Sequence, residues 1–361
     1  MNATEVHVHK GALTDAALAE VPLAPLGDGE VRLQIESFSV TANNVTYAVA
    51  GDSFKYWDFF PAPEGMGIVP MWGHARVIES RHPEIAVGER VYGYLLMASH
   101  LDVIPQRVTP GGFSDASAHR QPMSPVYNSY TRLAVDPEHD PAREAERMIF
   151  GPLFRTGFLI EYFLRGSDWF GAERLIVTSA SSKTALGLAS VAQQTSPGVK
   201  RVGLTSKGNI DFVKATGLYD EVLAYDDLAG LPVVPSVSVD FAGNADVLAR
   251  VHGHFGDALA HSALAGMTHI EARSTFAGGG EPLPGPKPAL FFAPDHAVAF
   301  FKARGVEEGG RLIAAAWHAF LEAADGTVAI ERLAGLAAAR DTFAAMVARQ
   351  IDPAKWIVIE P

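Results

Sequence analysis

Leu175-Ile176-Val177-Thr178-Ser179-Ala180-Ser181-Ser182-Lys183-Thr184-Ala185-Leu186-Gly187 is the stretch on which the fold of this chain turns. An apolar run suited to a buried strand ends in small residues, and an amphipathic helix follows from Ser182 to Gln194. Ser179, Ser182 and Ala185 keep the three-residue spacing at which dinucleotide-binding turns carry glycine. All three are small, so a pyrophosphate can still approach the backbone around Ala180. The helix start offers N–H groups and a partial positive charge. Ser181, Ser182 and Thr184 add hydroxyls there, and Lys183 adds a charge. The same pattern also serves tight packing of a helix on a strand, so this segment alone leaves both readings open.

Beyond it, strands and helices alternate. Strands are expected at Arg201–Thr205, Glu221–Ala224, Val237–Phe241 and Asp257–Leu264, with helices near Asn209–Thr216 and Ala245–His254. This alternation predicts a doubly wound parallel sheet. NAD-specific sites place an acid near the end of the second strand to bind the ribose hydroxyls. Here that strand ends Thr205-Ser206-Lys207, which suits a 2′-phosphate and predicts NADPH over NADH. The other reading is that Lys207 is an ordinary exposed lysine. After the fourth strand, Gly243 and Asn244 are expected beside the nicotinamide ribose, or as a plain turn with Asn244 as N-cap.

The first 150 residues read as short strands (Val31–Val40, Trp72–Ser80, Glu89–Met97) separated by two long loops, 51–70 and 105–125. Phe150–Leu164 reads as a helix, Phe276–Pro288 as a Gly/Pro-rich loop, Gly310–Ala324 and Leu333–Gln350 as helices, and Trp356–Glu360 as a last strand. The expected domains are 1–150 with 326–361, and 151–325. The chain has 361 residues, 29 basic and 41 acidic, for a net charge of −12, which argues against nucleic acid or a membrane as partner. No cysteine is present, so disulfides, thiol catalysis and cysteine-ligated zinc are excluded. Met1–Lys10 lacks the apolar core of a secretory signal, and a cytoplasmic location is expected. The Asn44-Val45-Thr46 glycosylation pattern is then read as chance.

Several elements together resemble the medium-chain dehydrogenase/reductase superfamily, on its zinc-free quinone-reductase side. They are Tyr47 to Gly51, Gly88-Glu89-Arg90-Val91-Tyr92-Gly93, the 175–187 turn, Phe212 to Tyr225 and the closing Trp356–Glu360. The chain is also similar to an uncharacterised bacterial branch classed as a domain of unknown function. That likeness rests on Ala42 to Tyr47, Trp72-Gly73-His74-Ala75, Ser117 to Arg120 and Val126 to Tyr130. The resemblance implies a GroES-like, mostly-β catalytic domain plus a Rossmann domain, with NADP(H) as cofactor and a homodimer. Two departures stand out. The phosphate turn lacks its glycines, and Gly73-His74 is followed by Ala75 where zinc enzymes carry an acid, so no metal is expected.

In such relatives the substrate lies beside the nicotinamide. The resemblance makes Tyr47 the first candidate for proton donor or substrate orienter, with Asn43 near it. His119, Arg120, Tyr127, Asn128 and Tyr130 form a polar and aromatic cluster. Arg120 is a candidate to bind a carboxylate or enolate, and His119 a candidate to donate a proton. The alternative is a loop held by its own hydrogen bonds. Arg155, on an apolar helix, needs a partner such as a phosphate or a carboxylate. The expected activity is NADPH-dependent reduction of an activated C=C or C=O in a small molecule such as an enone or quinone. A non-redox lyase or isomerase, or a non-catalytic nucleotide-binding protein, stays open.

Overall fold

The computed structural model describes residues 1–265, 282–325, 329–351 and 355–361. The chain divides into two compact units, residues 1–149 with 328–361, and 150–327. Residues 276–281 of the Gly/Pro-rich loop, and residue 326 at the expected domain boundary, lie outside the described residues.

The first ten strands are β1 (Asn2–His9), β2 (Ala16–Pro22), β3 (Val31–Val40), β4 (Met66–Gly67), β5 (Pro70–Ser80), β6 (Arg90–Leu96), β7 (His100–Val103), β8 (Pro105–Thr109), β9 (Gly112–Asp115) and β10 (Ser129–Arg132). Then come β11 (Arg174–Thr178), β12 (Lys200–Thr205), β13 (Glu221–Ala224), β14 (Ser236–Asp240), β15 (Leu259–Leu264) and β16 (Ala289–Leu290). The last two are β17 (Ala329–Ala334) and β18 (Lys355–Glu360). The helices used below are α1 (Ala42–Val49), α2 (Pro125–Asn128), α3 (Glu144–Gly166), α4 (Lys183–Thr195), α5 (Ile210–Ala215) and α6 (Ala245–Phe255).

In the first unit β2-β1-β4 form a small sheet, and nine strands form a larger one in the order β17-β18-β3-β5-β6-β10-β9-β8, with β7 also on β3. Val31, Leu33, Phe38, Val77, Val91 and Val358 are fully enclosed. Burial of such side chains contributes about 1.5–3 kcal/mol each. The sequence reading leaves β4, β7 and β10 unassigned, and it differs from the structure here in three further places. Residues 105–125 are not one loop: β8 and β9 form a hairpin in which Thr109 faces Gly112. Pro110-Gly111 is its turn, and these two residues mask the strands when read one by one. The Asn43–Val49 stretch is helical despite its asparagines, Val and Thr, which are poor helix formers. Asn44 Oδ1 offsets this by accepting from the Thr41 amide at 2.7 Å and the Thr41 hydroxyl at 3.1 Å. Third, β1, β2 and β17 are strands that the sequence reading does not assign, although Val6 and Val8 of β1 are buried between the more exposed Glu5, His7 and His9.

Among the described residues the second unit holds a six-stranded parallel sheet in the order β13-β12-β11-β14-β15-β16. Chain direction across the sheet reverses between β11 and β14, the switch point where open α/β sheets take ligands outside the strand ends. Ile176, Val202, Leu204, Val251 and Phe255 lie in one buried cluster under it. Helices α3 and α4 cross closely, because Gly157 and Gly187 remove the side chains between them. A Cβ at Gly157 would stand 2.5 Å from the Leu188 amide nitrogen, and one at Gly187 would stand 3.1 Å from Phe154 Cα.

Candidate functional site

The bend after β11 places Ser179, Ala180, Ser181 and Ser182 in sequence at the switch point. Ser179 has φ 49°, the left-handed region that glycine favours. Ala180 is fully buried, and a Cβ on Gly203 of β12 would lie 2.9 Å from its side chain. The bend therefore sits low on the sheet. Its amides are partly committed: Ser179 N–H donates to the Tyr225 hydroxyl at 3.0 Å, and Ala180 N–H donates to the Leu204 carbonyl at 3.1 Å. Ala180 O also accepts from the Tyr219 hydroxyl at 3.1 Å. Ala180 is thus a packing residue and not a pyrophosphate contact, which corrects its expected role. Ser182 is the N-cap of α4. Lys183 and Thr184 follow in the first turn, whose amides lack carbonyl partners within the helix. The half-buried Lys183 ammonium is pushed down to about 8 by burial. The bend, the helix start and this amine fit a diphosphate.

Thr205 is buried at the end of β12, while Ser206 and Lys207 are exposed. Asn209 Nδ2 reaches back to donate to Ser181 Oγ at 3.1 Å, tying the two expected cofactor segments together. Lys207 is not a lone cation: its Nζ pairs with Asp226 at 3.2 Å. The acid missing from the tip of β12 is supplied by the turn after β13. Past β14, Gly243 has φ 60°, and its N–H donates to Asp240 Oδ2 at 3.0 Å. Asn244 caps α6, accepting from the Asp246 and Val247 amides at 2.9 and 3.2 Å. The side chain expected at the ribose is therefore occupied as a cap.

Sequence reasoning missed the link between these turns. The Thr178 hydroxyl donates to the buried Asp240 carboxylate and accepts from the Phe241 and Ala242 amides at 3.0 and 3.2 Å. Burial pushes the Asp240 carboxyl up, opposed by the Thr178 hydroxyl and the Gly243 amide. A polar residue closing each of two neighbouring buried strands is the signal in the sequence that marks this pair.

In the first unit, Tyr47 on α1 is buried in an aromatic nest with Tyr56, Tyr94 and Tyr127. Its oxygen accepts from Asn43 Nδ2 at 2.7 Å and Trp72 Nε1 at 3.1 Å. Two donors on that oxygen leave the phenol proton to be donated. Burial pushes the Tyr47 hydroxyl up, so it stays protonated at neutral pH. The Tyr56 and Tyr127 hydroxyls lie 3.3 Å apart. The Tyr94 hydroxyl is buried without a partner.

His119 and Arg120 belong to the framework of this loop. The exposed His119 ring meets the Phe59 carbonyl at 3.1 Å. Arg120 is 1% exposed. It donates to Asn128 Oδ1 (3.1 Å), Asp115 Oδ2 (3.0 Å), the Tyr130 hydroxyl (2.8 Å) and the Tyr127 carbonyl (2.6 Å). Its guanidinium lies against Phe59 and Phe60, 5.6 and 5.2 Å from their ring centroids. The expectation that Arg120 binds a substrate carboxylate gives way to the other reading, a loop held by its own hydrogen bonds, because the side chain is buried and four of its five N–H donors are spent inside the loop. Arg155 is half-buried on α3. His74 is fully buried, with both ring nitrogens lacking partners. Burial pushes it down to about 3, which leaves it neutral. Among the described residues no group of three or more His, Asp or Glu is placed to hold a metal ion, and no helix is long and apolar enough to cross a membrane.

A family model described as Protein of unknown function (DUF2855) matches residues 38–352. No curated protein matches the chain in sequence. Among solved structures, CurA from Vibrio vulnificus in complex with NADPH is similar with a TM-score of 0.63 at 14% identity, covering 99% of this chain and 98% of that one. The yhdH oxidoreductase from Salmonella enterica in complex with NADP has a TM-score of 0.54 at 16% identity, covering 100% of both. CurK enoyl reductase has a TM-score of 0.60 at 12% identity, covering 99% of both. At these identities the likeness shows the fold, a mixed α/β architecture pairing a GroES-like with a Rossmann domain.

Proposed function

We propose, from the premise that the chain belongs to the DUF2855 family and has a medium-chain dehydrogenase/reductase fold, that it is an NADP(H)-dependent oxidoreductase acting on an activated C=C or C=O. The observation that carries this reading is the bend from Ser179 to Ser182 at the switch point of a 3-2-1-4-5-6 sheet, opening into α4. That the similar CurA and yhdH structures hold NADPH and NADP supports the choice of nucleotide. The unit of residues 150–327 is then the dinucleotide domain, and residues 1–149 with 328–361 the substrate domain.

Ser181, Ser182, Lys183 and Thr184 would hold the diphosphate, with Ser206 and Lys207 toward the adenosine end. When bound, NADPH supplies a hydride. The chain supplies the rest. Tyr47 would donate its hydrogen bond to a substrate oxygen and stabilise the negative charge that reduction develops there. Asn43 and Trp72 hold the Tyr47 oxygen in place. The aromatic nest keeps bulk water from the phenol.

A fluorescence titration with NADPH and NADH, followed by a panel of enones and quinones, tests the proposal. NADPH binding with oxidation by some panel members is expected. Tyr47→Phe should lower kcat by about 10- to 100-fold while leaving nucleotide affinity unchanged. NADPH binding without turnover across the panel would favour a nucleotide-binding protein, and binding of neither nucleotide would remove the redox reading. A cytoplasmic homodimer is part of the same proposal, and light scattering on the purified protein tests the dimer.

A further inference from the structure

Three charged side chains from three elements meet beside the expected adenosine end. Asp226 lies just past β13, Lys207 just past β12, and Arg250 on α6. The single carboxylate takes both cations, Lys207 Nζ on Oδ2 at 3.2 Å and Arg250 Nη1 on Oδ1 at 3.1 Å. Side-chain exposures of 73% for Lys207, 61% for Asp226 and 55% for Arg250 make these pairs water-screened and exchangeable. The group carries one net positive charge. Beside it runs a groove lined by Tyr225, Asp226, Leu228, Arg250 and His254. Tyr225 joins that groove to the phosphate bend, since its hydroxyl accepts from the Ser179 amide at 3.0 Å.

We propose that Asp226 sets the preference between NADPH and NADH, and that Arg250 is the second cation for the 2′-phosphate. This rests on the nucleotide reading above. A 2′-phosphate reaches Lys207 and Arg250 only by displacing the carboxylate from them, so Asp226 competes with it. A nucleotide bearing a free 2′-hydroxyl leaves both ion pairs intact and meets an acceptor in the carboxylate. The site is thereby tuned to a weaker NADPH preference than its two cations alone would give.

Nucleotide titrations of the full-length chain at low and at high salt test this. Asp226→Asn frees both cations and should tighten NADPH binding by about three- to tenfold, while NADH binding stays the same or weakens. Arg250→Gln should weaken NADPH by a comparable factor and move NADH by less than about twofold. The NADPH/NADH affinity ratio of Asp226→Asn should fall more steeply with salt than that of the unaltered chain. All three side chains are exposed, so both variants are expected to fold, and thermal unfolding checks this. An unchanged ratio in Asp226→Asn, with both nucleotides still bound, overturns this proposal alone. Binding of neither nucleotide by the unaltered chain overturns the function above, and this inference with it.

Discussion

Arg120 shows how much one side chain can settle. Its guanidinium is enclosed with Asp115, and the pair is 1% exposed on each side. Arg120→Met would strand the Asp115 carboxylate in a low-dielectric interior, where breaking a buried pair costs about 3–5 kcal/mol. Urea unfolding should show that loss, and Asp115→Leu added to Arg120→Met should recover part of it. Lys183 gives a second residue-scale outcome. Its pKa is about 8, so its charge is complete below pH 7 and fades as pH rises through 8. Nucleotide affinity should fall above pH 8, and Lys183→Arg should shift that limb upward. His74 sets the acid response. Its folded pKa of about 3 lies below the usual 6.5, so the unfolded chain binds the proton first. The stability due to neutral His74 is full above pH 6.5 and is lost as pH falls toward 3, by up to about 1.4 kcal/mol per unit. Glu144 is raised by burial but drawn down to about 2 by Arg90 and His139, and adds a loss of the same sign from about 4.5 downward. His74→Gln should flatten stability between pH 6.5 and 4.5, where Glu144 contributes little. At this scale the sequence named the right cluster around Arg120 but left its purpose open between a substrate site and a loop held by its own hydrogen bonds. Whether an arginine faces a substrate or its own loop depends on contacts such as Arg120 to Asn128 that only the fold creates.

At the scale of elements, the crossing of α3 and α4 is the sharper test of the nucleotide unit. Gly157→Ala gains helix propensity of up to about 1 kcal/mol but drives a methyl into the backbone of Thr184 and Leu188. Overpacking should win, with a net loss of about 1–2 kcal/mol and a raised KM for the nucleotide as α4 shifts. Gly310, in the helix Val306–Ala323, has nothing within 4 Å of an added Cβ. Gly310→Ala should therefore stabilise by about 0.5–1 kcal/mol, and thermal unfolding separates the two. The parallel sheet was legible because buried strands such as Val202 to Leu204 are short apolar runs ended by turn residues. The β8–β9 hairpin was not, since Arg107 has φ 52° and the pairing shifts register beside it. A bulge of this kind breaks the alternation that marks a strand.

For the whole molecule, a doubly wound parallel sheet followed from the sequence pattern, whereas its strand order and the charge balance at its ligand edge did not. Reading β12 alone found Lys207. Asp226 and Arg250 lie 19 and 43 residues farther on, and only the turn after β13 and helix α6 bring them beside it. Nucleotide at about 100 times its Kd should stabilise the folded chain by about 2.7 kcal/mol. Hydrogen exchange should place the added protection at 179–184 and 205–207, with the residues 1–149 largely unchanged.

β18 lies between β17 and β3, with Ile357 facing Val40 and Ile359 facing Phe38. The ribosome makes β3 early and β18 only after every residue of the Rossmann sheet has been joined. During that interval the apolar flank of β3 has no late-arriving neighbour, while the nucleotide unit already has all its strands. Nascent chains stalled before residue 355 should therefore bind dinucleotide yet remain open to chaperone capture and to proteases along their amino-terminal third.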